Sequence, residues 1–340
     1  MRILFLNFYE GPENFHFEQA FIRNANKLKN CRLDIIHNFK EDLSPLATAV
    51  NEKGFRKNFG EISENKIENY DAVFSLDFPW KKDKSCSLWL KALSKGKKKI
   101  FIANHLLPED EHAPFFVWLK EKNIFSIFDS AYFYAFDHPS NFPRLKKGAV
   151  KYRTYYIDSV YYSPDKTKKD SDFITVFLAG SKERAFQSIN PCLRENPQIK
   201  IKMISNSDFK PAKKYSGRFK LLKFNENIFR IKEEISSSDL VLIPINDKSK
   251  NQTAGMAVAF MGMSMAKPVI AKSRLWMRDY IEHEKNGFLY LASSKIPQAV
   301  KNAVKLRRKW DLIGKEARKT ILKKAALDSF AAKLVKEAFK

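Results

Sequence analysis

Three cysteines, Cys31, Cys86 and Cys192, are all that 340 residues hold. The number is odd and no two of them stand as C-x-x-C, so neither a disulfide framework nor a cysteine zinc site is indicated. A reducing cytosol is the simplest setting. Long apolar runs are missing too. The opening MRILFLNFYEGPEN is far shorter in its apolar part than the ~20 residues of a membrane span, and it lacks a signal peptide's longer apolar region and cleavage site. It is expected to be the first strand of an α/β domain. No internal repeat or low-complexity segment is apparent. Nothing resembles G-x-S-x-G, H-E-x-x-H, a P-loop or an Asp-x-Asp pair, so the chemistry those motifs mark is not expected, and neither is a metal.

Acidic residues are in short supply. Against 62 Lys and Arg stand 38 Asp and Glu, a net charge of +24. That exceeds what solubility asks of a chain this size. Basic clusters lie at Lys95, Lys97, Lys98 and Lys99, at Arg144, Lys146, Lys147, Lys151 and Arg153, and at Lys305, Arg307, Arg308 and Lys309. Such a surface attracts anionic lipid headgroups or a nucleic acid backbone. It also suits a plain solvated, lysine-rich exterior.

With 44% hydrophobic and 29% charged residues, the chain is long enough for two cores and too apolar for disorder. Strands are expected at Arg2 to Phe8, Leu33 to His37, Tyr70 to Leu76 and Lys99 to Ala103, with a helix from about Phe17 to Leu28. This alternation argues for a doubly wound α/β sheet. Ligands of such sheets bind outside the carboxyl ends of the strands, so the loops at Tyr9, Asp77 and His105 should face a ligand. Asp77 is the best-placed carboxylate of the first half, able to orient a hydroxyl or act as a base, and equally explicable as a turn residue. His105 can bond a hydroxyl or a phosphate or take a proton. The aromatics between Pro114 and Phe142 are read as core in preference to an interface. Ser163 to Asp172 suits a linker.

The most informative stretch runs from Ser236 to Leu289. Leu240 to Ile245 reads as a buried parallel strand ending at Pro244 and a polar loop. Thr253, Ala254 and Gly255 open an apolar helical run that Lys267-Pro268 stops before a second strand at Val269 to Ala271. A helix N-terminus reached from the end of a parallel strand offers N–H groups and the positive end of a dipole to an anion. Ala254, Gly255 and Met256 are the backbone donors in question, and Gly255 permits the closest approach. Close packing of helix on strand explains that glycine as well.

FMGMSMAKPVIA from Phe260 to Ala271 and RDYIEHEKNGFLY from Arg278 to Tyr290 resemble the C-terminal half of glycosyltransferase family 4. YYIDSVYYSP at Tyr155 to Pro164, VFLAGSKERAFQSI at Val176 to Ile189 and IGKEARKTILKKAALDSFAAKLVKEAF at Ile313 to Phe339 are similar to further segments of that family, in the expected order. The resemblance covers about the last half of the chain. It implies α/β GT-B architecture, two facing Rossmann-like doubly wound parallel-sheet domains. Residues 1–165 would form the acceptor-side domain, 172–312 the nucleotide-sugar domain, and 313–340 closing helices with the option of packing back on the first domain. It also implies a nucleotide-sugar donor with no further cofactor, and retention of anomeric configuration.

In that family, basic side chains after the strand at Thr175 to Leu178 reach the donor phosphates. Gly180, Lys182 and Arg184 stand there, and Arg184 can bind phosphate in a bidentate way. Thr253 begins the helix loop, and Arg278 lies in the turn the family uses for sugar or phosphate. One departure matters. The family's two glutamates, eight positions apart, fall here on Thr253 and Met261, and a thioether is only a weak acceptor for a ribose hydroxyl. The expected function is transfer of a sugar to a cell-surface glycan or lipid-linked acceptor by a cytoplasmic protein, with the inner membrane as a peripheral surface. Two alternatives stay open: a DNA-modifying glycosyltransferase with a nucleic acid acceptor, and a degenerate GT-B protein that binds a sugar nucleotide or glycan without turnover.

Overall fold

Short segments rich in Ile, Leu, Val and Phe alternate with amphipathic ones, and the first kind become parallel strands buried on both faces. The computed structural model describes residues 1–8, 12–37, 55–58, 67–79, 84–103, 118, 122–134, 149–153, 155–165, 173–180, 183–223, 228–251 and 253–339. They form two units, Met1–Tyr156 with Leu327–Lys340, and Ile157–Ala326. The division therefore falls at 156/157, earlier than the linker at 163–172, and residues 166–172 of that linker lie outside the described residues. The closing helices also divide between the units.

The first unit contains β1 (Arg2–Asn7), α1 (Pro12–Ala25), β2 (Arg32–His37), β3 (Phe55–Asn58), β4 (Tyr70–Leu76), α2 (Lys84–Ser94), β5 (Gly96–Ile102), β6 (Ser130–Tyr134) and β7 (Val150–Arg153). The sheet order is β3-β2-β1-β4-β5-β6-β7, parallel throughout. Ile3, Leu4, Phe5 and Leu6 are each at most 1% exposed. On α2 the residues Cys86, Leu88, Trp89, Ala92 and Leu93 form the buried face, and the Trp89 indole donates to Ser75 Oγ at 2.7 Å. Of the aromatics read as core, Phe128 and Tyr132 are buried. Most of that stretch lies outside the described residues.

The second unit contains β8 (Ile174–Ala179), α3 (Ile189–Glu195), β9 (Ile199–Ile204), β10 (Phe219–Leu222), α4 (Ile228–Ser236), β11 (Leu240–Ile243), α5 (Met256–Ser264), β12 (Val269–Lys272), α6 (Leu275–Tyr280), β13 (Phe288–Tyr290), α7 (Ile296–Lys305) and α8 (Trp310–Lys324). Its sheet is β10-β9-β8-β11-β12-β13, again parallel. Helix α5 is apolar almost all round, with every residue but Ala257 buried, which suits a helix enclosed by its unit. Its Ser264 hydroxyl donates to Tyr162 O at 2.7 Å.

The last helix, α9 (Leu327–Ala338), belongs to the first unit. Its Leu327, Phe330, Ala331, Leu334 and Val335 join the core that holds Phe17, Ala20 and Phe21. Burying Phe330 alone contributes about 2–3 kcal/mol. The Arg23 guanidinium makes a two-pronged bond to Asp328, Nε to Oδ1 at 2.8 Å and Nη2 to Oδ2 at 2.6 Å. Helix α8 stays in the second unit instead, where Trp310 and Ile313 join its core.

Candidate functional site

In each sheet the strand order reverses between two central parallel strands, β1 and β4 in the first unit and β8 and β11 in the second. A crevice opens outside the carboxyl ends of such strands. In the second unit these ends are Ala179-Gly180 and Ile243-Pro244. Arg184 returns to this point: it forms an antiparallel bridge with Ile245, and its Nε donates to Ala179 O at 3.0 Å. Neighbouring residues extend the seam, with Ala185 N donating to Pro244 O at 2.7 Å and Asn246 N to Glu183 O at 2.9 Å. Glu183 takes φ 60 and Gly180 φ 116. A Cβ at position 180 would fall on the Arg184 guanidinium. The glycine is thus required twice, for its backbone conformation and for the room its cation occupies. Burial lowers the Arg184 pKa from its ordinary value, and the Glu183 charge opposes that shift. Its partner in the sequence reading, Lys182, lies outside the described residues.

The loop between β11 and α5 is held from three sides. The buried Tyr290 hydroxyl donates to Ile243 O at 2.7 Å and accepts from Ile245 N at 2.8 Å, and burial drives its pKa up. Lys272, at the carboxyl end of β12, pairs with Asp247 at 2.6 Å. Asp247 also accepts from the Ser293 hydroxyl at 2.8 Å, and these two bonds, with Lys272 the larger influence, bring its carboxyl pKa down to about 2. Arg274 Nη2 donates to Ser249 O at 2.9 Å and Nη1 to Asn251 O. Asn251 Oδ1 then accepts from the Thr253 N–H and hydroxyl, at 2.9 and 2.8 Å. Ala254 N reaches Asn251 O at 3.3 Å and Met256 N reaches Thr253 O at 2.9 Å, so both of these expected donors have a bond within the loop. Gly255 is the N-cap of α5 with φ 84. A Cβ there would strike the side chain of Ile243, so close packing on the strand accounts for this glycine by itself. Met261 is 8% exposed in the body of α5.

The remaining sequence candidates are not gathered here. Arg278 is exposed in the last turn of α6 and lines a separate surface cavity of about 550 Å³ with Asn286, Thr320 and Lys324. Arg274, one turn earlier, is the arginine that reaches the loop. In the first unit, Asp77 sits at the corresponding carboxyl end of β4 with φ 55 and no solvent exposure. Its N–H donates to Ile102 O at 2.9 Å and its carbonyl accepts from the Ser75 hydroxyl at 2.6 Å, which are the bonds of a turn residue. Beside it, at the end of β1, buried Asn7 donates to buried Glu18 at 3.0 Å. His105 lies outside the described residues. Among the described residues no three His, Cys, Asp or Glu side chains are grouped to hold a metal, and no helix is long and apolar enough to cross a membrane.

Sequence reasoning missed Lys272, Arg274 and Tyr290. One signal could have found them: each stands at or just beyond the end of a predicted strand or motif, where ligand-facing loops begin.

No family model and no curated protein sequence matches the chain. Solved structures do. HepE of Anabaena, determined with UDP, has a TM-score of 0.65 at 12% identity, over 100% of this chain and 99% of that one. A glycosyltransferase from Rickettsia africae gives 0.62 at 12% identity, over 99% and 98%. WaaG, a glycosyltransferase involved in lipopolysaccharide biosynthesis, gives 0.57 at 10% identity, over 98% and 99%. The likeness spans both units and the whole length of each of these structures, and the chain accordingly has the GT-B glycosyltransferase fold, two α/β units each built on a parallel sheet.

Proposed function

We propose that this protein is a glycosyltransferase of the family 4 type that takes its sugar from a nucleotide-sugar donor. The diphosphate would lie at the β8/β11 reversal of the second unit, against Arg184 and the loop that leads into α5. The observation that carries this reading is the seating of Arg184. A guanidinium is kept over a glycine with positive φ, at the place where α/β sheets bind ligands, and there it presents positive charge to that place. Transfer requires that the leaving diphosphate be stabilised as the anomeric carbon becomes cationic, and a fixed cation contributes to that. HepE has been solved with UDP-glucose, which makes a uridine nucleotide the first donor to try. The acceptor is proposed to be a cell-surface glycan or lipid-linked sugar, and the transfer retaining.

The experiment is a thermal-shift panel of nucleotide sugars on the wild type and on Arg184→Ala. A donor that binds only the native state raises the midpoint by mass action. A selective shift in wild type that is lost in the variant supports the reading, and equal shifts in both would remove Arg184 from the site.

Met261 favours a second reading. It brings a buried thioether to the position where the resembling family has a carboxylate, so donor binding without turnover is the specific alternative. Sugar release or transfer measured on the donor that gives the shift separates the two.

A further inference from the structure

Helix α8 buries one face, Trp310, Ile313, Gly314, Ala317 and Ile321. The opposite face carries Leu312, Lys315, Lys319, Leu322 and Lys323, whose spacing of i, i+3, i+7, i+10 and i+11 puts them on one stripe. Leu312 is 62% exposed and Leu322 45%. Single exposed leucines need no account. Two on the outward stripe of one helix, each flanked by lysines, form a pattern.

The charge around them is one-sided. Residues 301–324 hold ten Lys and Arg against Asp311 and Glu316, so 24 residues carry +8 of the chain's +24. Exposed Lys305, Arg307, Arg308 and Lys309 crowd the turn that leads into α8. On the stripe itself, the ion pair found among the described residues is Lys319 with Glu316, at 3.5 Å. Phosphate contact alone requires only cations. A lipid surface uses both components, since leucines enter the boundary between headgroups and acyl chains while lysine stems lie along apolar surface and their ammonium groups reach phosphates.

We propose that the outward face of α8, with the Arg307–Lys309 turn at its start, docks on an anionic lipid surface. The proposal extends the glycosyltransferase reading by giving a lipid-linked acceptor a face at which to be met. Its test does not depend on donor chemistry.

The full chain is sedimented with phosphatidylcholine vesicles and with vesicles that also contain phosphatidylglycerol. Binding is expected to the acidic vesicles alone and to weaken as salt shortens the Debye length. Leu312→Ser with Leu322→Ser should weaken it on the order of tenfold. Val160→Ser, which changes an exposed residue elsewhere in the same unit, should leave it unchanged. Should the leucine pair disturb the fold, as judged by the thermal midpoint, the triple change Arg307→Ala, Arg308→Ala, Lys309→Ala tests the same face and should give a loss at least as large. No wild-type binding to acidic vesicles, or full binding by these variants, overturns the proposal. Duplex DNA bound more tightly than acidic vesicles, with no effect of the leucine changes, would overturn it in favour of a nucleic acid partner. Nucleotide-sugar shifts measured on the same variants should equal those of wild type, so failure here is distinguishable from failure of the donor site.

Discussion

The two units share a sheet plan and differ in what they place at its reversal point. Both order their first six strands alike, third-second-first-fourth-fifth-sixth, and the first unit adds a seventh. Both tie the amino ends of the central strands with an acid at the start of the fourth strand. Asp71 accepts from Arg2 N at 2.9 Å, and Asp239 accepts from Thr175 N at 2.8 Å. At the carboxyl ends the likeness stops. The second unit has Gly180 and the guanidinium of Arg184 there, whereas the first has Asn7, Glu18 and Asp77, each with no exposed surface. Topology creates the crevice in both. The described side chains put a cation at one end and buried neutral and acidic groups at the other.

The sharpest way to break this contrast is to fill the space beneath the cation. Gly180→Val should displace Arg184 and strain a φ of 116, costing about 2–3 kcal/mol of stability and abolishing the nucleotide-sugar shift. Denaturant unfolding and the ligand panel read the two effects, and a variant with wild-type values in both would show that the glycine is incidental. Arg184→Ala should leave stability nearly intact and weaken donor binding by about 1.5–3 kcal/mol, the range of a charge-assisted contact, measured by calorimetric titration. For the first unit the expected outcome is reversed. Asn7→Ala removes a buried bond to Glu18 and should cost about 1–3 kcal/mol in denaturant unfolding, with donor affinity unchanged.

The smallest effect concerns pH. Because the folded Asp247 carboxyl has its pKa lowered from 3.8 to about 2, its ionised form stabilises the folded state above the unfolded value, and that contribution fades as pH falls from about 4 towards 2. Asp247 is nearly half exposed, so the contribution is a screened one. The stability gap between wild type and Asp247→Asn should be present at pH 5 and shrink towards pH 2. A gap that widened on acidification would reverse the assignment.

Much of this was legible in the sequence. The central strands of both units were expected within a few residues, because parallel strands covered on both faces must be continuous apolar runs. Among the strands that the sequence reading did not set out are β3, β7 and β10, with sequences FRKN, VKYR and FKLL. All three are sheet edges, where charged side chains are tolerated and blunt the exposed hydrogen-bonding edge, so the apolar pattern fades. Arg184 was singled out through the family resemblance, in the loop after β8. Arg274 stands just beyond a predicted strand, but its role was not legible, since its contacts are two backbone carbonyls 23 and 25 residues away, and no local pattern encodes those.

By itself, then, the sequence determined the α/β class, the polar loop before an apolar helix start, and the concentration of positive charge, because each follows from local composition and periodicity, while the two parallel-sheet units were expected through the family resemblance. Only the tertiary structure decided that Gly180 makes room for Arg184, that Tyr290, Lys272 and Arg274 brace the loop before α5, that α8 and α9 belong to different units, and that Asp77 is sealed from solvent. Those outcomes depend on which distant segments pack together, and a side chain's exposure and partners are fixed by packing across the sheet, where sequence distance carries no information.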